Sequence, residues 1–139
     1  MSRLPEILIY CDGGSRGNPG PAAIGAVVLD PGTEPPTRLA TVSERIGVAT
    51  NNVAEYRAVI AALERAAPYE ASTVHVRADS MLVIRQLEGV WRVKQSHLRP
   101  LYDQARALLA RYDVVDLGHV PREENTDADL LVNAALDQG

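Results

Sequence analysis

Apolar residues from Leu4 to Cys11 run almost unbroken and without clean alternation, which predicts a strand buried on both faces that stops where the chain meets Asp12. Ala22 to Asp30 predicts a second strand, and the tight-turn residues Gly17-Asn18-Pro19-Gly20 between the two make the pair antiparallel. Pro31, Pro35 and Pro36 mark a loop. Leu39 to Ile46 resumes a strand whose solvent side carries Thr41, Ser43 and Arg45, so the first three strands form a meander with this one at the edge.

The period then changes. Thr50-Asn51-Asn52 is a helix start, and Val53, Tyr56, Val59, Ile60, Leu63 and Ala67 follow at helical spacing until Pro68. Thr73 to Ala78 predicts a short strand ending at Asp79-Ser80, and Met81 to Leu87 a helix. Gly89 to Lys94 is a break, after which Leu98, Leu101, Tyr102, Ala105, Leu108, Leu109 and Tyr112 mark one side of a third helix. Val114 to Val120 predicts a strand closed by Pro121, and Asn125 to Leu136 a last helix with Leu131, Val132, Ala135 and Leu136 as its buried stripe. A meander followed by helix, strand, helices, strand and helix belongs to the α/β class. Right-handed crossovers then set the later strands beside the first, giving a mixed five-stranded sheet in the order 3-2-1-4-5 within a single domain over residues 1–139.

Composition narrows the function classes. The 139 residues are 46% hydrophobic, enough for a core without staples. A single cysteine excludes an internal disulfide, and Cys11 within a strand reads as a small buried hydrophobe, so a reducing, cytoplasmic setting is expected. No stretch approaches the roughly 18 consecutive apolar residues of a membrane span. A formal net charge of -4 argues against a binder that relies on unspecific attraction to phosphate, but suits an enzyme whose acidic site takes up divalent cations.

Four acidic residues stand at comparable places. Asp12 follows the first strand, Glu55 lies in the first turn of the first helix, Asp79 ends the fourth strand, and Asp129 lies in the first turn of the last helix. Each has a structural alternative: Asn52 with Glu55 and Thr126 with Asp129 have capping-box spacing, and Asp79 before Ser80 suits a helix cap. Independent caps, however, have no reason to converge on one end of one sheet. With strands one and four adjacent, Asp12 and Asp79 lie side by side, and carboxylates this close raise one another's pKa unless cations hold them ionised. Oxygen donors without histidine or cysteine company favour Mg2+ or Mn2+. Gly13 and Gly14 leave room for close approach of a ligand to the backbone.

The motifs Tyr10-Cys11-Asp12-Gly13-Gly14 with Gly17-Asn18-Pro19-Gly20-Pro21, Thr50-Asn51-Asn52-Val53-Ala54-Glu55, Ala78-Asp79-Ser80, and Asn125-Thr126-Asp127-Ala128-Asp129-Leu130 resemble, in order and spacing, type 1 ribonuclease H. The resemblance covers nearly the whole chain. It implies the ribonuclease H-like fold and endonucleolytic hydrolysis of RNA strands paired to DNA, leaving 5′-phosphate and 3′-hydroxyl ends. Asp12, Glu55, Asp79 and Asp129 would then be catalytic ligands of two divalent cations. It also implies substrate contacts at Gly13, Gly14, Asn18, Thr50, Asn51 and Asn52, with Thr50 and Asn18 at a pocket for a DNA-strand phosphate. The branch it resembles carries a C-terminal acid phosphatase-like domain, which is thereby an expected partner in the full-length protein.

The chain also departs from that family. Where some members carry a long basic insertion, Leu87 to Arg99 is short, with Arg92, Lys94 and Arg99 as its cations. Trp91 either stacks on the DNA strand or anchors the loop. Val120 to Asn125 is too short for the histidine-bearing loop of the family, and His119 reads as an ordinary strand-end residue. His75 and His97 have no partners at ligand spacing. A non-cutting binding module would gain nothing from paired buried charges.

Overall fold

The computed structural model describes residues 3–138, so the ends of the expected domain, residues 1, 2 and 139, lie outside the described residues. Strands β1 (Glu6–Ser15), β2 (Gly20–Asp30) and β3 (Thr37–Ala49) form the antiparallel meander. Strand β4 (Thr73–Ala78) pairs parallel to the other side of β1, and β5 (Val114–His119) parallel to β4, giving the order β3-β2-β1-β4-β5. Helices α1 (Asn51–Ala66), α2 (Met81–Leu87) and α3 (Arg99–Leu109) share one core with Ile7, Ile9, Cys11, Val74 and Val76. Helix α4 (Thr126–Asp137) covers the opposite face, packing Val132 and Ala135 on Ala23. Among the described residues no helix is long and apolar enough to cross a membrane.

Two expectations for the first strand need correction. One face, Ile7, Ile9 and Cys11, is fully buried, but Leu8 and Tyr10 on the other are only half-buried. The cause is that α4 lies across β1, β2 and β3 and leaves the β4–β5 side of that face without a helix. The strand also does not stop at Asp12. It continues to Ser15 because Gly13, Gly14 and Ser15 stay paired with Ile24, Ala23 and Ala22 of β2. What stops is β4: its pairing with β1 ends at Cys11 and Ala78, and the next residue on each strand is Asp12 and Asp79. The open edge this leaves along β1 is where the site forms.

Glycines let the helices approach the sheet there. A Cβ on Gly13 would overlap the Ala54 carbonyl in the first turn of α1, so this glycine has a packing reason of its own. Gly25, opposite Asp12 on β2, is the same for α4, whose Ala128 carbonyl occupies the space of a side chain. Gly14 differs, since a Cβ there would meet only Val132 Cγ1 at 3.7 Å.

Candidate active site

Local chemistry frees the acids from capping. Thr50 Oγ1 accepts the Val53 amide at 3.2 Å and Ser80 Oγ accepts the Val83 amide at 3.3 Å, so Thr50 and Ser80 are the N-caps of α1 and α2. Asn52 lies inside α1, and the capping-box alternative for Glu55 therefore falls. Asn125 holds the N-cap position of α4 and Thr126 is its first helical residue, so the box with Asp129 falls as well.

Each of Asp12, Glu55 and Asp79 offers a carboxylate oxygen, and these oxygens all lie within 4.8 Å of one another. Asp12 is 7% exposed and Glu55 9%. Alternation along β1 places Asp12 with Leu8 and Tyr10 on the α4 side, beyond the last residue paired with β4. Asp129 lines the same cleft, of about 440 Å³, together with Gly13, Gly14, Asn51 and Arg122. It stands apart from the close trio, with Oδ1 3.5 Å from Arg122 Nη2. Asp127 faces elsewhere, its Oδ2 3.4 Å from Arg38 Nη2 on β3.

Burial, together with the charges of Asp79 and Asp129, raises the Asp12 carboxyl to about 7, against a lowering hydrogen bond with Glu55. Burial and then Asp12 raise Glu55 well above the carboxylate range, opposed by the Gly13 backbone. The Cys11 thiol is pushed up by burial and by the same three carboxylates. A cluster of hard oxygen donors, with no histidine or cysteine among them, is consistent with a divalent cation.

Of the residues that the resemblance implies for substrate contact, Gly13, Gly14 and Asn51 line the cleft, whereas Asn18, Thr50 and Asn52 are not among its lining residues. Asn18 Oδ1 accepts the Asn51 amide at 3.0 Å, and Asn51 Oδ1 accepts the Ser15 amide at 2.9 Å and hydroxyl at 3.1 Å. These bonds fasten the β1–β2 turn to the start of α1, beside Thr50, Asn52, Gly13 and Gly14. Arg16 extends the turn to α4 through Asp137, 2.6 Å away. Arg122, facing Asp129, had no signal in the sequence, because the short turn that aims it has no periodicity. His119 is exposed at the end of β5 and is not among the residues lining the cleft. Trp91, 44% exposed, borders a separate groove with Leu82, Val90 and Lys94.

The raised carboxyls make a pH prediction. Their folded-state pKa lies above the unfolded value, so the folded chain binds more protons, and stability falls as pH rises from the ordinary carboxylate range through about 7. In chelator, the melting temperature should be higher at pH 5 than at pH 8, and Asp12→Asn should flatten that slope. Mn2+ should raise melting more at pH 8, where the ligands are free of protons. A slope unaltered by the substitution would assign it to other groups.

The chain matches the family model described as Reverse transcriptase-like over residues 10–135. It is 48% identical over 132 residues to the Bifunctional protein Rv2228c of Mycobacterium tuberculosis, covering 95% of this chain and 36% of that protein. To the Ribonuclease HI of Halobacterium salinarum it is 48% identical over 130 residues, covering 92% of this chain and 63% of that one. The chain thus spans less than two thirds of the length of either relative. Among solved structures, the N-terminal RNase H domain of rv2228c superposes with a TM-score of 0.90 at 47% identity, covering 96% of this chain and 94% of that one. LC11-RNase H1 in complex with RNA/DNA hybrid superposes with a TM-score of 0.86 at 42% identity, covering 95% and 97%. On the family model, the sheet order and these neighbours together, the chain belongs to the ribonuclease H family.

Proposed function

We propose that this chain is an endoribonuclease that hydrolyses the RNA strand of RNA/DNA hybrids, using two divalent cations held by Asp12, Glu55, Asp79 and Asp129 and leaving 5′-phosphate and 3′-hydroxyl ends. The observation that carries the reading is the trio of carboxylates within 4.8 Å at an open cleft, a concentration of charge that a bound cation compensates where protons otherwise must. Bound there, two Mg2+ or Mn2+ ions would supply Lewis acidity to both the attacking and the departing oxygen of an in-line displacement. The hybrid-bound structure of LC11-RNase H1 supports the substrate class.

The chain's own residues do the rest. Asp12 lies within β1, Asp79 follows the end of β4 and Glu55 stands on the capped helix α1, rigid elements that hold the carboxylates close without rearrangement. Asp129 enters from the opposite layer, so the four acids approach the cleft from both sides of the sheet. The rim of Gly13, Gly14, Asn18, Thr50, Asn51 and Asn52 is braced by the Asn18–Asn51–Ser15 bonds, and its amides and hydroxyls suit the 2′-hydroxyls and phosphates of a hybrid's wide minor groove. A further domain as covalent partner is supported by the relative named bifunctional, of which this match occupies 36%; that it is acid phosphatase-like is what the family resemblance implies.

The test is incubation with an end-labelled hybrid, with Mg2+, with Mn2+ and with excess chelator. Cleavage of the RNA strand alone, only with metal and with 5′-phosphate products, is the expected result. Undiminished cleavage in chelator would remove the two-cation reading, and no cleavage in any arm would remove the hydrolase reading.

A further inference from the structure

Asn125 is 1% exposed, one of few polar side chains so buried, and it does not perform the job its position suggests. As N-cap of α4 it has φ -118° and ψ 30°, outside the extended region in which an asparagine oxygen reaches back to the helix amides, and its side chain caps nothing. Instead its Nδ2 donates to the Cys11 carbonyl at 2.9 Å, across 114 residues of sequence. That carbonyl belongs to the last residue of β1 paired with β4, immediately before Asp12. Asn125's own carbonyl accepts the Asp129 amide at 3.1 Å, the first hydrogen bond of α4. Its Oδ1 is buried with no partner among the described residues, so the side chain is oriented by its single bond to β1.

We propose that Asn125 is a positioning residue that sets the separation of Asp12 on β1 and Asp129 on α4. The proposal rests on the four-carboxylate reading of the site. One amide group joins the backbone adjoining the first acid to the helical turn carrying the fourth, and no other side-chain hydrogen bond among the described residues links α4 to β1 beside Asp12. Arg16 and Asp137 join at the far end of α4, the Ser43 hydroxyl donates to the Leu131 carbonyl further along, and Arg38 meets Asp127 of the first turn from β3, so none of them ties that turn to β1. Asp12, Glu55 and Asp79 are held by β1, β4 and α1 whether or not Asn125 is present. Losing the tie therefore affects the part of the site that needs Asp129 and spares the hybrid-binding rim.

The experiment compares the wild-type chain with Asn125→Ala in two readouts, Mn2+ binding by calorimetry and hybrid cleavage as a function of Mn2+ concentration. The expected result is weaker binding of one Mn2+ by about 10–100-fold, the range seen when outer partners of metal ligands are removed, with lower kcat and an unchanged KM for the hybrid. Unaltered Mn2+ affinity and saturation, with only a lower melting temperature, would overturn the proposal. If Asn125→Ala does not fold, Asn125→Ser, too short to reach Cys11 but still polar, gives the same comparison; failure of both to fold means that Asn125 holds the fold and not the site, which also overturns it. A wild-type chain that binds Mn2+ but cuts nothing would end the hydrolase reading and leave this proposal to be decided by calorimetry, whereas one that binds no Mn2+ ends both.

Discussion

Asp79→Asn is expected to lose at least about a thousandfold in turnover, the rate equivalent of several kcal/mol of cation-mediated charge stabilisation, while still binding the hybrid. The substituted carboxylate belongs to the trio whose oxygens lie within 4.8 Å of one another, and it has no fold role that asparagine cannot fill. Ser80, the neighbouring residue, caps α2 through its own hydroxyl, so the helix start is untouched. Removing one negative charge from a cluster that raises Asp12 and Glu55 should leave the metal-free chain as stable as before or more so. Single-turnover cleavage, hybrid binding by a gel or fluorescence assay, and thermal melting in chelator separate these effects. Full turnover in the variant would remove Asp79 from the site, and an unfolded variant would make its role structural.

A second large effect distinguishes two acids only two residues apart. Asp129→Asn should depress turnover by orders of magnitude and shift its metal dependence, whereas Asp127→Asn should cost at most about 1 kcal/mol of stability and little activity. At about 100° per residue, two positions on a helix point roughly 200° apart. Asp129 accordingly lines the cleft opposite Arg122, while Asp127 meets Arg38 on β3 with both side chains more than half exposed. Metal-dependent cleavage by both variants decides the assignment. An inactive Asp127→Asn beside an active Asp129→Asn would reassign the fourth ligand.

Features that depend on near neighbours in the chain were legible from residue order. Helical spacing from Val53 to Ala67, the apolar run ending at Asp12, the Thr50 and Ser80 start signals and the β-α alternation are local patterns, and with right-handed crossovers they lead to the order β3-β2-β1-β4-β5. Because that order sets β1 beside β4, the proximity of Asp12 and Asp79 was also legible; Glu55, expected in the first turn of its helix, lies just past that turn in α1 because the helix starts at Asn51, and still joins them. Tertiary structure alone decided what depends on distances across layers. Gly13 faces the Ala54 carbonyl because of how closely α1 docks, and β1 outlasts Asp12 because β2 still pairs with it. His75, read from the sequence as having no partner at ligand spacing, has Asp116 Oδ2 at 2.8 Å from one ring nitrogen and Glu6 Oε1 at 2.8 Å from the other, and these bonds raise its pKa. Strand register brings those three together, just as the docking of α4 brings Asn125 to Cys11. A side chain's partner across a sheet or between layers is set by register and docking, which arise from the whole core packing at once, and no local pattern of residues encodes them.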